Sequence, residues 1–483
     1  MNFTADKKYL VLPVNDRSPE RDVTLFRGDN AVYTLKVRTD SANPVYHSYI
    51  SLGRFTGESL AINLDDGEFT LSDTLPEDIY KEPLRPEVHF SPRLGWMNDP
   101  NGLVYYKGTY HLFFQHNPAG VQWGNMHWGH AVSSDLLHWG EREIALYPDS
   151  FGTMFSGSAI IDTQNLTGLK TGDDDVILLY YTAAGEPFTQ CMAYSDDGGE
   201  SFKKYADNPV VGHIAGANRD PKVIWSDELE CYIMALYLDG NTYTLLRSDD
   251  LITWAELQRF ELPGDSECPD FYPLIYGEHL FWVFSGASDH YYIGGFEGGL
   301  FMPVCEHGSM HDAATTLYAA QTFSAIEGMR RIRMSWNRAG IAGNAAMPFN
   351  CEMSIPVDMS LRRKGSALAL CANPIPEFES LRLPYTPGKG ACDIEAVLTP
   401  GAQASFTVFG HTEPLDNIPL DGDGSLKVRI IADRTGYEAY FGDGEYYISR
   451  GFVSDPNLTP LETENADIKS QKIYSLKSIH DSH

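Results

Sequence analysis

The sequence predicts an all-β protein: a five-bladed β-propeller followed by a β-sandwich, with a small β module in front. Three observations predict it. Short apolar or alternating runs dominate the chain, and long helical periodicity is missing. A turn motif recurs at blade-like intervals. Polar residues recur just after each turn, where the next unit begins.

The strands are legible as Tyr110-His111-Leu112-Phe113-Phe114, Val176-Ile177-Leu178-Leu179-Tyr180-Tyr181 and Tyr232-Ile233-Met234-Ala235-Leu236-Tyr237. Gly, Asp, Asn and Pro punctuate them. The repeat is Ser134-Asp135 with Trp139, Ser195-Asp196 with Phe202, and Ser248-Asp249 with Trp254. Aspartate closes turns by bonding the backbone, and the aromatic can seal the turn against a neighbouring strand. A spacing of about 55 residues with several strands per unit matches propeller blades, and room from near 88 to near 365 gives five. After the turns come Phe155-Ser156-Gly157-Ser158, Arg219-Asp220-Pro221 and Glu267-Cys268-Pro269-Asp270. The innermost strand of every blade lines the central channel, so these groups would converge there.

The flanks read differently. Residues 1–85 carry alternating stretches at Val23–Phe26 and Tyr33–Val37 and form the N-terminal module, with Asp73 to Pro86 as a Glu- and Pro-rich linker. Residues 86–370 form the propeller. Residues 371–483 form a short sandwich, legible at Ala404–Val408 and Leu426–Ile431, with a polar and frayed last 20 or so residues.

Composition narrows the function. The chain has 483 residues, 43% apolar, with 12% aromatic residues, as a globular β protein would have. Most of the rings belong in the core, though flat rings also stack on sugars. A net charge of −30 repels nucleic acid and anionic membranes, which excludes both as partners and favours a small neutral ligand. Seven cysteines, at 191, 231, 268, 305, 351, 371 and 392, are scattered without a Cys-x-x-Cys pair, against a disulfide scaffold or a zinc site. The N-terminus shows no apolar signal core. A cytoplasmic location is the expectation, or a secreted one if a leader has been removed.

The densest motif is Trp96-Met97-Asn98-Asp99-Pro100-Asn101-Gly102. Asn-Asp-Pro-Asn-Gly is turn chemistry, so a surface turn is one reading. The other is a carboxylate held ionised by amide donors, as a nucleophile requires. Glu267 lies among Asp265 and Asp270, and like-charge crowding is expected to raise its pKa toward that of a general acid. An acidic surface loop is the alternative. Cys268 reads as a small buried apolar residue. Arg219 and Asp220 would point to opposite faces of a regular strand, so a direct salt bridge between them is not expected. His127 and His130 would likewise face apart, which argues against a metal.

Taken together, these segments resemble glycoside hydrolase family 32, the invertase, inulinase and levanase family. The resemblance covers roughly residues 86 to 375. It rests on Trp96 to Gly102, Phe114-Gln115-His116-Asn117-Pro118, Trp123 to His130, Phe155 to Ser158, Arg219 to Pro221, Glu267 to Asp270 and Tyr318-Ala319-Ala320-Gln321-Thr322-Phe323, in that order. The resemblance implies a retaining exo-β-fructosidase acting on terminal fructofuranosyl units of sucrose and short fructans. In it Asp99 attacks the anomeric carbon, Glu267 serves as acid/base, and Asp220 binds hydroxyls and stabilises the transition state. Asn98, Gln115, Trp123, Phe155, Ser156 and Arg219 shape the fructose pocket. No metal or organic cofactor is implied.

Three departures bear on substrate preference: Asn218 where Phe is frequent, Ser266 where a bulky residue is frequent, and Ala313-Ala314 where Gly is usual. The rival readings are a sucrose 6-phosphate hydrolase, a fructosyltransferase and a silent sugar-binding propeller. The first needs a basic cluster that the sequence does not locate. The last would be expected to have lost a carboxylate, and none of the three is missing.

Overall fold

Five antiparallel sheets follow one another along the chain and close into a ring. The structure is a computed structural model that describes residues 1–304, 307–340, 347–416 and 418–480; Cys305 lies outside them. Blade I is Gly95–Tyr106, Thr109–Asn117, His127–Ser133 and Gly140–Glu141. Blade II is Thr153–Asp162, Val176–Ala184, Thr189–Ser195 and Lys203–Lys204. Blade III is Arg219–Ser226, Cys231–Asp239, Thr242–Ser248 and Ala255–Glu261. Blade IV is Asp270–Tyr276, His279–Ser285, His290–Glu297 and Leu300–Pro303. Blade V is Leu317–Thr322, Ile332–Asn337, Val357–Lys364 and Ala367–Pro374. The ring shuts where Phe349–Asn350 pairs in parallel with Gly95 and Trp96, and where Ser324 bridges Val104.

The continuous apolar runs follow from this packing. A central blade strand is covered on both faces, so both of its alternating sets must be apolar. Ile177, Leu179 and Tyr181 pack with Val104, Phe113 and Trp128 of blade I. Val176, Leu178 and Tyr180 pack with Val223, Met234 and Leu236 of blade III.

The turn repeat is present, one residue earlier than the sequence pattern placed it in blade I. The equivalent serines are Ser133, Ser195 and Ser248. Each hydroxyl bonds the aspartate two residues on, at 3.0 Å to Asp135, 2.6 Å to Asp197 and 3.0 Å to Asp250. Those carboxylates then accept backbone N–H groups further round the turn, such as Leu137 and Ile252. The following aromatic reaches the preceding blade: Phe202 lies edge-on to Phe113 at 5.2 Å, and Trp254 to Tyr180 at 5.8 Å.

Two small sheets at the N-terminus, one containing Arg21–Arg27 and Asn30–Val37 and the other Tyr9–Val14 and Tyr46–Ser51, enclose one core. That core also takes in Ala119 and Val121 of the propeller. The segment from 73 to 86 does not behave as a free linker. Arg85 is buried and bonds Glu82, the Ser91 hydroxyl and the Pro92 carbonyl, which fastens its end to the propeller.

The C-terminal layers are two legs of one seven-stranded sheet. Cys392–Val408 is bulged, and Phe406 on its far leg packs against Tyr437 and Phe441 of Gly436–Phe441. The expectation of a frayed C-terminus is corrected. Glu462–Leu476 is a fifteen-residue strand paired with Cys392–Val408. Its polar side chains face water while its backbone bonds are satisfied in the sheet, and composition does not register that difference.

Beneath the channel mouth the innermost strands are stitched by buried polar groups. Lys222 of blade III lies 3.0 Å from Asp270 of blade IV and donates to the Thr322 carbonyl of blade V at 2.7 Å. Asp270 accepts the Thr322 N–H at 2.8 Å. Val223 N–H donates to Ser158 Oγ at 2.9 Å, joining blades II and III. Removing one member of a buried ion pair strands the other charge and costs about 3–5 kcal/mol. Lys222→Met is therefore expected to lose about that much in a denaturant titration, and Lys222→Met/Asp270→Asn to recover part of it. Wild-type stability in Lys222→Met would contradict this account of the axis.

Candidate active site

The backbone leaves the regular pleat at the same end of every innermost strand. Pairing shifts register between Met97 and Pro100, between Phe155 and Gly157, between Arg219 and Lys222, and between Tyr318 and Gln321. Blade IV reaches the same end through left-handed residues, Glu267 at φ 58° and Cys268 at φ 35°. Such bulges re-aim side chains that a regular strand would send elsewhere. At Gly157 a Cβ would stand 1.9 Å from the Tyr180 carbonyl oxygen, so this bulge tolerates only glycine. Asp220 sits at φ 65°. It and Arg219 thus face the same space, with Arg219 Nε 3.8 Å from the Asp220 carboxylate. The expectation that they face apart assumed a regular strand and is corrected.

That space is a pocket of about 250 Å³. All nine residues singled out from the sequence line it: Asp99, Asp220 and Glu267 with Asn98, Gln115, Trp123, Phe155, Ser156 and Arg219. Asp99 accepts hydrogen bonds from Ser156 Oγ at 2.6 Å and from the Asn98 amide at 3.2 Å. Asn98 is itself oriented by Trp96 Nε1 at 2.9 Å. The buried Asn101 amide, in the orientation that satisfies both its ends, accepts from Gln115 Nε2 at 3.0 Å and donates to Ser156 Oγ at 3.2 Å. Glu267 is gripped from two sides, by Arg219 at 2.5 Å and by the Tyr318 hydroxyl at 2.6 Å.

Cys268 joins the carboxylates. Its N–H donates to Asp220 at 3.0 Å, and its thiol lies 3.4 Å from Asp220 and 3.6 Å from Asp99. Read as a small apolar residue, it turns out to be a weak donor at the centre of the cluster. Sequence reasoning also gave no site role to Tyr318 or Trp336, which complete the wall. Tyr318 opens the Tyr318–Phe323 segment on which the resemblance partly rests, so the sequence carries a signal for it. Trp336 lies in an ordinary strand and carried none.

The carboxyls differ in proton affinity. Burial pushes Asp99 above the usual range, against the Ser156 and Asn98 hydrogen bonds. Burial pushes Asp220 up to about 7, with Arg219 opposing and the Asp99 charge adding to the rise. Burial raises Glu267 too, but the Tyr318 and Arg219 hydrogen bonds outweigh it and hold the group below its ordinary value. The expected upward shift from like-charge crowding is therefore corrected. The groups nearest Glu267 are a hydroxyl and a guanidinium.

The two histidines go separate ways. His127 pairs with Tyr33 of the N-terminal module at 2.9 Å, and His130 with His111 at 3.0 Å. Below the carboxylates the channel is plugged. Gln321 donates to the Gly157 carbonyl at 3.0 Å and accepts the Leu103 N–H at 3.2 Å, spanning blades II, V and I. At the rim Trp123 lies edge-on to Phe155 at 6.0 Å, and Phe155 edge-on to Phe188 at 5.6 Å.

Comparison with known proteins agrees with this architecture. Residues 89–374 match the glycosyl hydrolases family 32 N-terminal domain. A levanase of Bacillus subtilis is 31% identical over 84% of this chain and 72% of its own length. An invertase of Schizosaccharomyces pombe is 37% identical over 52% of this chain, which spans 48% of that protein. The crystal structure of exo-inulinase from Aspergillus awamori superposes with a TM-score of 0.73 at 25% identity, over 83% of this chain and 99% of that one. The pocket, the propeller that carries it and the matched residues lead to one conclusion: this chain belongs to glycoside hydrolase family 32.

Proposed function

We propose that this glycoside hydrolase is a retaining exo-β-fructosidase that removes terminal β-D-fructofuranosyl units from sucrose and short fructans. The observation that carries the reading is the cluster of Asp99, Asp220 and Glu267 around Cys268 in a plugged pocket. A polymer cannot thread a channel closed by Gln321, so the pocket favours a chain end. Residues 86–370 would carry the reaction, with the last propeller strand, Ala367–Pro374, running past that boundary, and modules would flank them on either side. The resemblance of the chain to a levanase, an invertase and an exo-inulinase supports the substrate class.

The reaction divides into two displacements. Asp99 attacks the anomeric carbon while Glu267 gives its proton to the departing glycosidic oxygen. The carbon–oxygen bond breaks and a fructosyl ester forms on Asp99. Glu267 then takes a proton from water, which displaces Asp99 and releases fructose with its configuration retained. Asp220 holds ring hydroxyls and offsets positive charge developing at the anomeric carbon. In the free enzyme burial and the neighbouring Asp99 charge raise the proton affinity of Asp220, with Arg219 opposing the rise. A neutral sugar entering the pocket strips water from Glu267, which raises its pKa in the direction a general acid needs. Arg219 is the basic residue of the lining and is occupied by Glu267. That arrangement favours an uncharged sugar over sucrose 6-phosphate.

Incubation with sucrose, an inulin-type oligosaccharide, levan and sucrose 6-phosphate tests the reading. Free fructose is expected from the unphosphorylated substrates, and its absence from all four would overturn the proposal. Glu267→Gln should lower kcat by about 10²–10⁴-fold, and Asp99→Asn by at least as much, with unchanged unfolding transitions. Tyr318→Phe supplies a pH test. The lost hydrogen bond favoured the charged form of Glu267, so the group should keep its proton to higher pH. The alkaline limb of kcat/KM is expected to move upward. A limb that stays or moves down would contradict Glu267 as the proton donor.

A further inference from the structure

Trp123 stands between two concavities. One side belongs to the catalytic pocket, and the other lines a crevice of about 210 Å³ whose far wall is the N-terminal module. Trp123 is 59% exposed. So large an apolar ring left in water at a pocket rim is a natural stacking surface. The crevice is otherwise polar. The N-terminal module contributes Asp16, Glu20, Lys36 and Arg38, and the propeller contributes Asn117 and Gln122.

The two walls are tied to each other. The Asn125 amide donates to the Lys36 carbonyl and accepts the Lys36 N–H, both at 2.8 Å. Val121 N–H donates to the Tyr46 hydroxyl at 3.2 Å. The wall side chains are pre-positioned as well. Asp16 accepts from Tyr46 at 2.9 Å, and Arg38 donates to the Ser18 carbonyl at 3.0 Å while lying 3.7 Å from Glu20. Acidic and basic groups balance, which suits a neutral polyhydroxylated ligand over an anion. Carboxylates and guanidinium groups make strong hydrogen bonds to sugar hydroxyls. A second hollow of about 440 Å³, sharing Asp16 and Gln122, continues the path.

We propose that this crevice binds the outer sugar units of a fructan whose terminal unit occupies the catalytic pocket, with Trp123 as the step between them. The inference rests on the β-fructosidase reading above. It assigns the N-terminal module a direct part in choosing longer substrates.

The test compares kcat/KM on sucrose and on an inulin-type tetramer for the full-length wild type, Glu20→Ala/Arg38→Ala and Glu20→Trp. The first variant removes hydrogen-bonding groups, and the second fills the space. Wild type should prefer the tetramer. Both variants should lose about tenfold on the tetramer, mainly through KM, and stay within about twofold on sucrose. Fructose release from both substrates with no selective loss in the variants would overturn the crevice site. An equal loss on both substrates would overturn it too. No release from either substrate by wild type would overturn the underlying reaction, and the crevice with it.

Discussion

The buried contact between Lys222 and Asp270 is the constraint on which the site depends. The three carboxylates come from blades I, III and IV and have no local reason to meet. They meet because the innermost strands are held at fixed height and spacing by groups that cannot be left unpaired. Lys222, Asp270 and Thr322 join three blades, and Gln321 and Ser158 carry the stitching to the others. A slip of one strand would strand a charge in an apolar interior. That cost fixes the register, and the register fixes where each bulge turns its side chain.

Above this layer the chemistry is set by small differences of environment. Asp220 is buried and Asp99 partly so, and both share donors from Cys268, yet Asp99 has a hydroxyl and an amide committed to its charged form. Asp220 relies more on Arg219, and its proton affinity rises to about 7. Glu267 sits nearer the rim with Arg219 and Tyr318. The carboxyls feel one another's charge, Asp220 that of Asp99 and Glu267, and Asp99 that of Glu267. The side chains that set these affinities, Asn98, Ser156, Arg219 and Tyr318, also shape the walls of the pocket.

Much of this was legible in the sequence. The blade strands were visible because a strand covered on both faces must be apolar throughout, as Val176 to Tyr181 is. The segments Phe155–Ser158, Arg219–Pro221 and Glu267–Asp270 were visible because polar residues recur after each turn at blade spacing, whereas Gln115 and Trp123 entered through the family resemblance. What stayed hidden had physical reasons. The bulge at Arg219 and Asp220 reverses the direction that strand periodicity assigns. Cys268 looks apolar until two carboxylates stand beside it. Glu462–Leu476 is polar because its partners are backbone groups, and Ser133 and Ser134 carry the same side chain, so the sequence pattern does not say which of them opens the turn. The pairing of Glu267 with Arg219 and Tyr318 joins three blades, which no local pattern reports.

The central claim is that Asp99 forms a covalent bond to the sugar. An activated β-fructosyl substrate, whose leaving group needs no proton, should load the Glu267→Gln variant faster than the intermediate is hydrolysed. Mass spectrometry of the quenched, digested protein is then predicted to find one fructosyl unit on the peptide containing Asp99. A fructosyl unit on another peptide, or turnover with inverted configuration and no loaded enzyme, would contradict the account.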